Sequence, residues 1–271
     1  GKNVVREGFR VKEIAEKLLE LAAKYKIAQI KSIDFKHDSV IVGCEKGLYR
    51  FFQAEARGKP VEAERYLDVP LFYWRSKRRY LELRSVLHKG IVKRPAGMRI
   101  KHFCAGGSLA ALCVRQMDLL EFILQDEITT VFSSLDLKNQ YGNMLLSTAN
   151  GVKASVELGV LPNVAESIEL HEIICETGVV SDQVVDTQVE HYPIYVFGKD
   201  KREVYQDLDY ELYGIEIDDG ERIRYILAVL ADSSQIGILQ RQHAHYLKLR
   251  QAIDESNSLV APLALYGGKP R

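Results

Sequence analysis

Residues 96–124, AGMRIKHFCAGGSLAALCVRQMDLLEFIL, decide the fold, because a strand, a glycine turn and a helix follow one another there in one readable unit. Met98 to Phe103 alternates apolar and polar side chains, the period of a half-buried strand. Gly106-Gly107-Ser108 then breaks the strand and offers Ser108 as a helix N-cap. Beyond it Leu109, Leu112, Cys113, Met117, Leu120 and Leu124 recur at three- and four-residue steps, one face of a helix, while Ala111, Arg115 and Asp118 share another. Any chemistry on this helix belongs to that second face.

Working outward toward the N-terminus, Arg10 to Lys26 is an amphipathic helix with Ile14, Leu18, Leu21, Ala22 and Tyr25 as its stripe. Ile27 to Ile33 fits a strand, and Asp38 to Gly43 reads as a short strand with the continuous apolar run of a parallel sheet. Gly47 to Ala56 is expected to be a helix, stopped by Arg57-Gly58-Lys59-Pro60. The first sixty residues thus read as α-β-α, the alternation of an α/β sheet. No Gly-x-Gly-x-x-Gly turn occurs, so a nucleotide bound here would lack the phosphate-binding loop of a complete dinucleotide fold.

From Val69, VPLFYWRSKRRYLELRSVLHKG reads as a strand followed by a basic helix with Tyr80, Leu83 and Leu87 inward. Its five basic residues between Arg75 and Arg84, beside Tyr73 and Trp74, suit either a phosphate patch or a solvated helix face. With Lys plus Arg and Asp plus Glu equal at 37 each, the solvated face is preferred and nucleic acid is not an expected partner. Toward the C-terminus, 128–134, 143–149, 152–160, 167–175 and 193–197 read as strands, with Asn150-Gly151 as a type I′ hairpin turn. Such a sheet is large and mainly antiparallel, packs helices on one face, and buries the other against a second subunit. Helices over 222–231 and 234–255 close the chain.

Of the remaining candidates, His243 and His245 splay about 200° apart on a helix and do not share a metal; no metal site is expected. Lys101 and His102 point to opposite sides of their strand, one of them toward the cleft above the sheet. Asp182, Asp186, Asp207 and Asp209 are read as turn residues. Cys44, Cys104, Cys113 and Cys175 stand far apart and are read as reduced thiols. With no signal peptide and no apolar run of membrane-spanning length, a cytoplasmic protein without a membrane partner is expected.

The ordered series LFYWRSKRRYLELRSVLHKG, MRIKHF, GGSLAALCVRQMDLLEFIL, NMLLSTANGVKASVELG and ELHEIICETGVVSD, covering 69–197, resembles the C-terminal half of the Gfo/Idh/MocA oxidoreductases. Residues 37–60 are similar to a late strand and helix of that family's nucleotide-binding domain, although GKNVVREGF at the start competes for the same place. The resemblance implies an α/β protein: a truncated, incomplete Rossmann-like domain over 1–68, and over 69–271 an α+β domain whose large, mainly antiparallel open sheet mediates homo-oligomers. It also implies hydride transfer between NAD or NADP and a sugar or polyol. That relay uses a lysine in Glu-Lys-Pro, and an aspartate and a histidine four residues apart on the helix after the glycine turn. Here those positions hold Arg65 within Glu64-Arg65-Tyr66, Ala111 and Arg115.

Arginine stays protonated and cannot accept the substrate's proton, and alanine has no acid. The expectation is therefore a catalytically degenerate protein, a small-molecule-binding or oligomeric structural component. The alternative is an active NAD(P)-dependent dehydrogenase with a rebuilt site. Arg115, Lys101, His102 and Tyr73 are the candidate catalytic residues, and Gly43, Cys44 and Glu45 the candidate cofactor-binding positions. Arg115 could clamp a ligand carboxylate or phosphate, or form a surface i,i+3 ion pair with Asp118.

Overall fold

The computed structural model describes residues 2–36, 38–55, 65–164, 167–182, 194–198, 202–205, 210–212 and 214–265. Two compact units emerge: Gly1–Lys77 with Asp209–Ala244, and Arg78–Leu208 with His245–Arg271. These units cut across the 1–68 and 69–271 division by assigning a late helix to the first.

In the first unit, helix α1 (Lys2–Lys24) precedes strands β1 (Ile30–Phe35), β2 (Ser39–Cys44), β3 (Gly47–Gln53) and β4 (Leu67–Leu71), which form a mixed four-stranded sheet in that order. Leu18, Leu21 and Ala22 of α1 are buried, as their spacing requires, but Tyr25 of the same stripe lies past the helix end at Lys24 and is exposed. Residues 47–53 are not the expected helix but a strand, and β2 lies antiparallel to both neighbours, unlike the parallel strand read from its apolar run. Glu45-Lys46 turns the chain tightly, Gly47 takes φ +138°, and Tyr49, Phe51 and Phe52 are buried; aromatic side chains suit a pleated, half-buried surface. Of the Rossmann-like plan this sheet keeps one parallel pairing, β3 with β4. There the Arg50 guanidinium grips the directly opposite Asp68 at 2.5 and 2.7 Å. Pro70 sits in the edge strand β4, where a missing ladder donor is tolerated, and its carbonyl accepts from Tyr225 Oη at 2.7 Å. Tyr225 belongs to α4 (Ile217–Ala231), whose C-terminal Leu230 carbonyl accepts from Lys46 Nζ at 2.9 Å, a cation where the helix dipole favours one.

The second unit begins with α2 (Arg78–His88). Then come β5 (Pro95–Cys104), α3 (Leu109–Leu124), β6 (Ile128–Asp136), β7 (Tyr141–Thr148), β8 (Lys153–Val160), β9 (Ile168–Cys175), β10 (Gly178–Ser181), β11 (Ile194–Gly198) and β12 (Arg202–Tyr205). Helix α5 (Ile236–Leu259) belongs to this unit from His245 onward, its first residues to the other, and β13 is Leu263–Ala264. The described strands make one nine-stranded sheet in the order β12-β11-β10-β9-β5-β8-β7-β6-β13, antiparallel except between β5 and β8. This is the large, open, mainly antiparallel sheet expected. Residues 149–151 do not make a type I′ turn: only Gly151 has positive φ (+88°), and Thr148 and Val152 close a three-residue loop. Asp126 fixes that loop by accepting from the Asn150 amide at 3.2 Å from each carboxylate oxygen.

β5 is interior to the sheet, and its alternation sorts it cleanly. Met98, Ile100 and His102 are buried on one side; Arg99 and Lys101 are exposed on the other. Ser108 caps α3 as expected, its Oγ accepting from Ala111 N at 3.2 Å, and Leu109, Leu112, Cys113, Met117, Leu120 and Leu124 are all buried. Burial goes beyond that stripe, however. Gln116 and Asp118 are also inside, so α3 is a central helix, and an Arg115–Asp118 pair on a solvated surface is ruled out. On α2 the inward set is Arg79, Tyr80, Leu83 and Val86, with Leu87 only half-buried.

Candidate functional site

A buried polar cluster occupies the C-terminal end of β5, where the chain turns toward α3. It is built by alternation: His102 on β5, and Glu169 and His171 two residues apart on β9, all face the same side, in direct register as His102↔Glu169 and Ile100↔His171. Helix α2 supplies Arg79 and Tyr80, α3 supplies Gln116, and Asp182 follows β10. Gln116, His171 and Asp182 are between 0 and 1% exposed, and Arg79 3%.

Buried polar atoms need partners, and here they find one another. Asp182 accepts from the backbone amide of His171 and from its Nδ1 at 2.8 Å. His171 Nε2 lies 3.0 Å from Gln116 Oε1, and Gln116 Nε2 lies 2.7 Å from His102 Nδ1 and 3.1 Å from Glu169 Oε1. Glu169 also accepts from the Arg79 guanidinium and the Tyr80 hydroxyl, while Tyr80 sets its ring edge-on to His171 at 5.2 Å. At the solvent edge, Ser167 Oγ lies 3.3 Å from His102 Nε2 and donates to the Phe103 carbonyl at 3.2 Å.

The electrostatics follow from that packing. Burial pushes His102 down to about 4; Glu169 opposes the shift, and Arg115, His171 and Arg79 add to it. Burial also drives the Tyr80 hydroxyl well above its ordinary range, with the Glu169 charge adding to it. For Arg79, burial works against the charge, but Glu169, Tyr80 and Asp182 outweigh it and hold the guanidinium ionised. Cys104, half-buried near Arg115, has its thiol raised by burial and bonds the Gly106 carbonyl at 3.2 Å, so it is no activated nucleophile.

Of the residues singled out from sequence, His102 and Arg115 come to this place. Arg115 is half-buried and close enough to act electrostatically on His102, Tyr80 and Cys104. Lys101 lies on the opposite face of the sheet, 3.2 Å from Glu157. Tyr73 belongs to the first unit, where the Arg222 guanidinium covers its ring at 4.5 Å. The basic run is not simply a solvated face, because Arg79 is buried against Glu169, and Asp182 is no turn residue at the surface. Glu64, Asp186, Asp207 and Asp209 lie outside the described residues. His243 donates toward the Ala54 carbonyl at 3.1 Å in the first unit; His245 pairs with Glu121 at 2.9 Å in the second. Among the described residues no group of three or more His, Cys, Asp or Glu could hold a metal ion, and no helix is long and apolar enough to cross a membrane.

Gly43 and Cys44 end β2, and Glu45 opens the turn that follows it. Glu45 accepts from Gln29 N at 2.6 Å and lines a groove of about 500 Å³ with Leu19, Ala22, Lys26 and Ile27. These residues do not fit a dinucleotide's phosphates. The strand runs into a hairpin rather than a helix N-terminus, a side chain at Gly43 would meet Ser32 Oγ at 2.5 Å, and Glu45 adds negative charge.

No protein-family model matches the sequence, and no curated protein matches it in sequence. Solved structures do share the fold. An oxidoreductase from Agrobacterium radiobacter in complex with NAD+, L-tartaric acid and magnesium superposes with a TM-score of 0.60 at 14% identity, covering 73% of this chain and 65% of that one. An oxidoreductase domain protein from Kribbella flavida gives 0.57 at 12% identity over 73% and 66%. Levoglucosan dehydrogenase in complex with NADH and levoglucosan gives 0.58 at 12% over 72% and 65%. The chain thus spans just under two thirds of the length of these structures, and its likeness to them is one of fold, in agreement with the architecture implied by the Gfo/Idh/MocA resemblance.

Proposed function

We propose that this chain is a catalytically degenerate relative of the Gfo/Idh/MocA oxidoreductases, serving as a ligand-binding or oligomeric structural component. One observation carries the reading: His102, the histidine at the end of β5, is buried, held neutral down to about 4, and engaged at both ring nitrogens. Dehydrogenation of an alcohol needs a group that takes a proton near neutral pH. Arg79 and Tyr80 are committed to Glu169, Arg115 cannot give up its proton, and Lys101 faces the other side of the sheet. The open face around Lys101, with Leu145 and Ile168 more than half exposed, suits a second copy of the chain, which sedimentation at rising concentration measures.

The second reading is an active NAD(P)-dependent dehydrogenase of a sugar or polyol with a rebuilt site, favoured by the contact of exposed Ser167 with His102, which brings the cluster's edge to solvent. NAD+ and NADH complexes among structures of this fold speak for it too. Fluorescence titration of the full chain with NADH and NADPH separates the two. The degenerate reading expects no saturable signal, and tight saturable binding by either nucleotide overturns it.

A further inference from the structure

We infer that Gln116 fixes the protonation of two buried rings at once: His171 as a doubly protonated imidazolium, and His102 as a neutral ring carrying its proton on Nε2. Hydrogen-bond direction alone leads to this assignment, and no part of the functional reading above is needed for it.

The carboxylate of Asp182 can only accept, so His171 Nδ1 must donate to it across 2.8 Å. The other ring nitrogen, Nε2, faces Gln116 Oε1 at 3.0 Å, which is also an acceptor. Turning the amide around would satisfy a neutral His171, but it would set Gln116 oxygen against Glu169 Oε1 at 3.1 Å. Glu169 is held ionised by the Arg79 guanidinium and already accepts from Tyr80, so no proton lies between those oxygens. The amide therefore has one orientation. Its NH2 serves Glu169 and His102 Nδ1, its oxygen takes a proton from His171 Nε2, and both nitrogens of His171 are donors.

The same amide decides His102. Nδ1 accepts from Gln116 across 2.7 Å, so the ring's single proton sits on Nε2 and is directed at Ser167 Oγ, whose own proton goes to the Phe103 carbonyl. The charged groups facing the two rings are Glu169 from β9, Asp182 after β10, Arg79 from α2 and Arg115 from α3. Glu169 and Asp182 stabilise a cation at His171; Arg79 and Arg115 oppose a second one at His102. The fully buried ring of His171 thus carries charge while His102, nearer solvent, does not. What β5 presents at its end is a hydrogen-bond donor, suited to an acceptor oxygen and unsuited to taking a proton.

Long-range proton–nitrogen correlation spectra of the 15N-labelled full chain at neutral pH read this directly. His171 is expected to show two ring nitrogens at nearly equal, protonated-type shifts. His102 is expected to show the wide split of a neutral ring with the proton on Nε2. A neutral pattern at His171, or a proton on Nδ1 of His102, overturns the inference. In Ser167→Ala, a change at an exposed side chain, the His102 pattern should persist because Gln116 sets it; a shift of the proton to Nδ1 would show that the serine had been in control. Nucleotide titration does not bear on either result.

Discussion

Lys101 and His102 are neighbours in sequence and live in opposite physical worlds. On the helix-covered face of the large sheet, His102, His171, Arg79, Gln116 and Asp182 are buried around the Glu169 carboxylate, whose side chain is 8% exposed, a cluster with little access to water. On the open face Lys101 reaches Glu157 at 3.2 Å and Arg99 reaches Glu172 at 3.0 Å, with the two basic side chains about half or more exposed. Both faces carry ion pairs set by strand register, yet the dielectric around them differs, and so does what each pair contributes. Charge on the wet side is screened and exchangeable; on the dry side each member depends on all the others.

The comparison breaks most visibly at Glu169. Glu169→Ala removes the carboxylate that the buried Arg79 guanidinium and Tyr80 hydroxyl share, with Asp182 facing Arg79 only at 3.6 Å, and should cost about 3–5 kcal/mol in denaturant unfolding. A loss under about 1 kcal/mol would mean that water reaches the cluster. Next in size is pH. His102 has a folded-state value lowered from 6.5 to about 4, so the unfolded chain binds a proton that the folded chain refuses. Stability should be fully present above about 6.5 and fall as the pH drops toward about 4, by on the order of 3 kcal/mol, since each tenfold loss of proton affinity is worth about 1.4 kcal/mol. His102→Asn should flatten that slope in melts at about pH 7, 5.5 and 4; an unchanged slope would assign it to other groups. The smallest effect belongs to the open face. Lys101→Ala should change monomer stability by about 0–1 kcal/mol, and any larger change that grows with protein concentration in sedimentation would show that a second copy covers this face.

The strand, turn and helix at residues 96–124 were legible because the apolar period changes from two to about 3.6 across Gly106-Gly107-Ser108, and all three features are present. By contrast β3 was not. In GLYRFF, Leu48, Phe51 and Phe52 satisfy a helical spacing as well as a buried strand does, and the turn at Glu45-Lys46 lacks the usual Asn-Gly or Asp-Gly signal. The site was half legible. His102 and Arg115 stand out by residue type, but Gln116, Glu169, His171 and Asp182 meet only through long-range register. One local sign was available: in ELHEI, Glu169 and His171 share a face with the apolar Ile173, which places two polar side chains toward a core and demands partners. The acids that provide them could not be read from spacing, since Asp182 looks like any aspartate near a turn.

The interior position of β5 also sets a clock. His102 is synthesised early, but the strands on either side of it, β8 and β9, and the carboxylate that orients His171 come 50 to 80 residues later. A nascent chain that ends before β9 carries the Arg79 guanidinium, His102 and Gln116 without Glu169 and Asp182, the acids that balance them. Closure waits on contacts distant in sequence, the slow kind in folding. The cluster is therefore a late event in the life of each molecule, and the ribosome must release most of the chain before its central strand has anything to pair with.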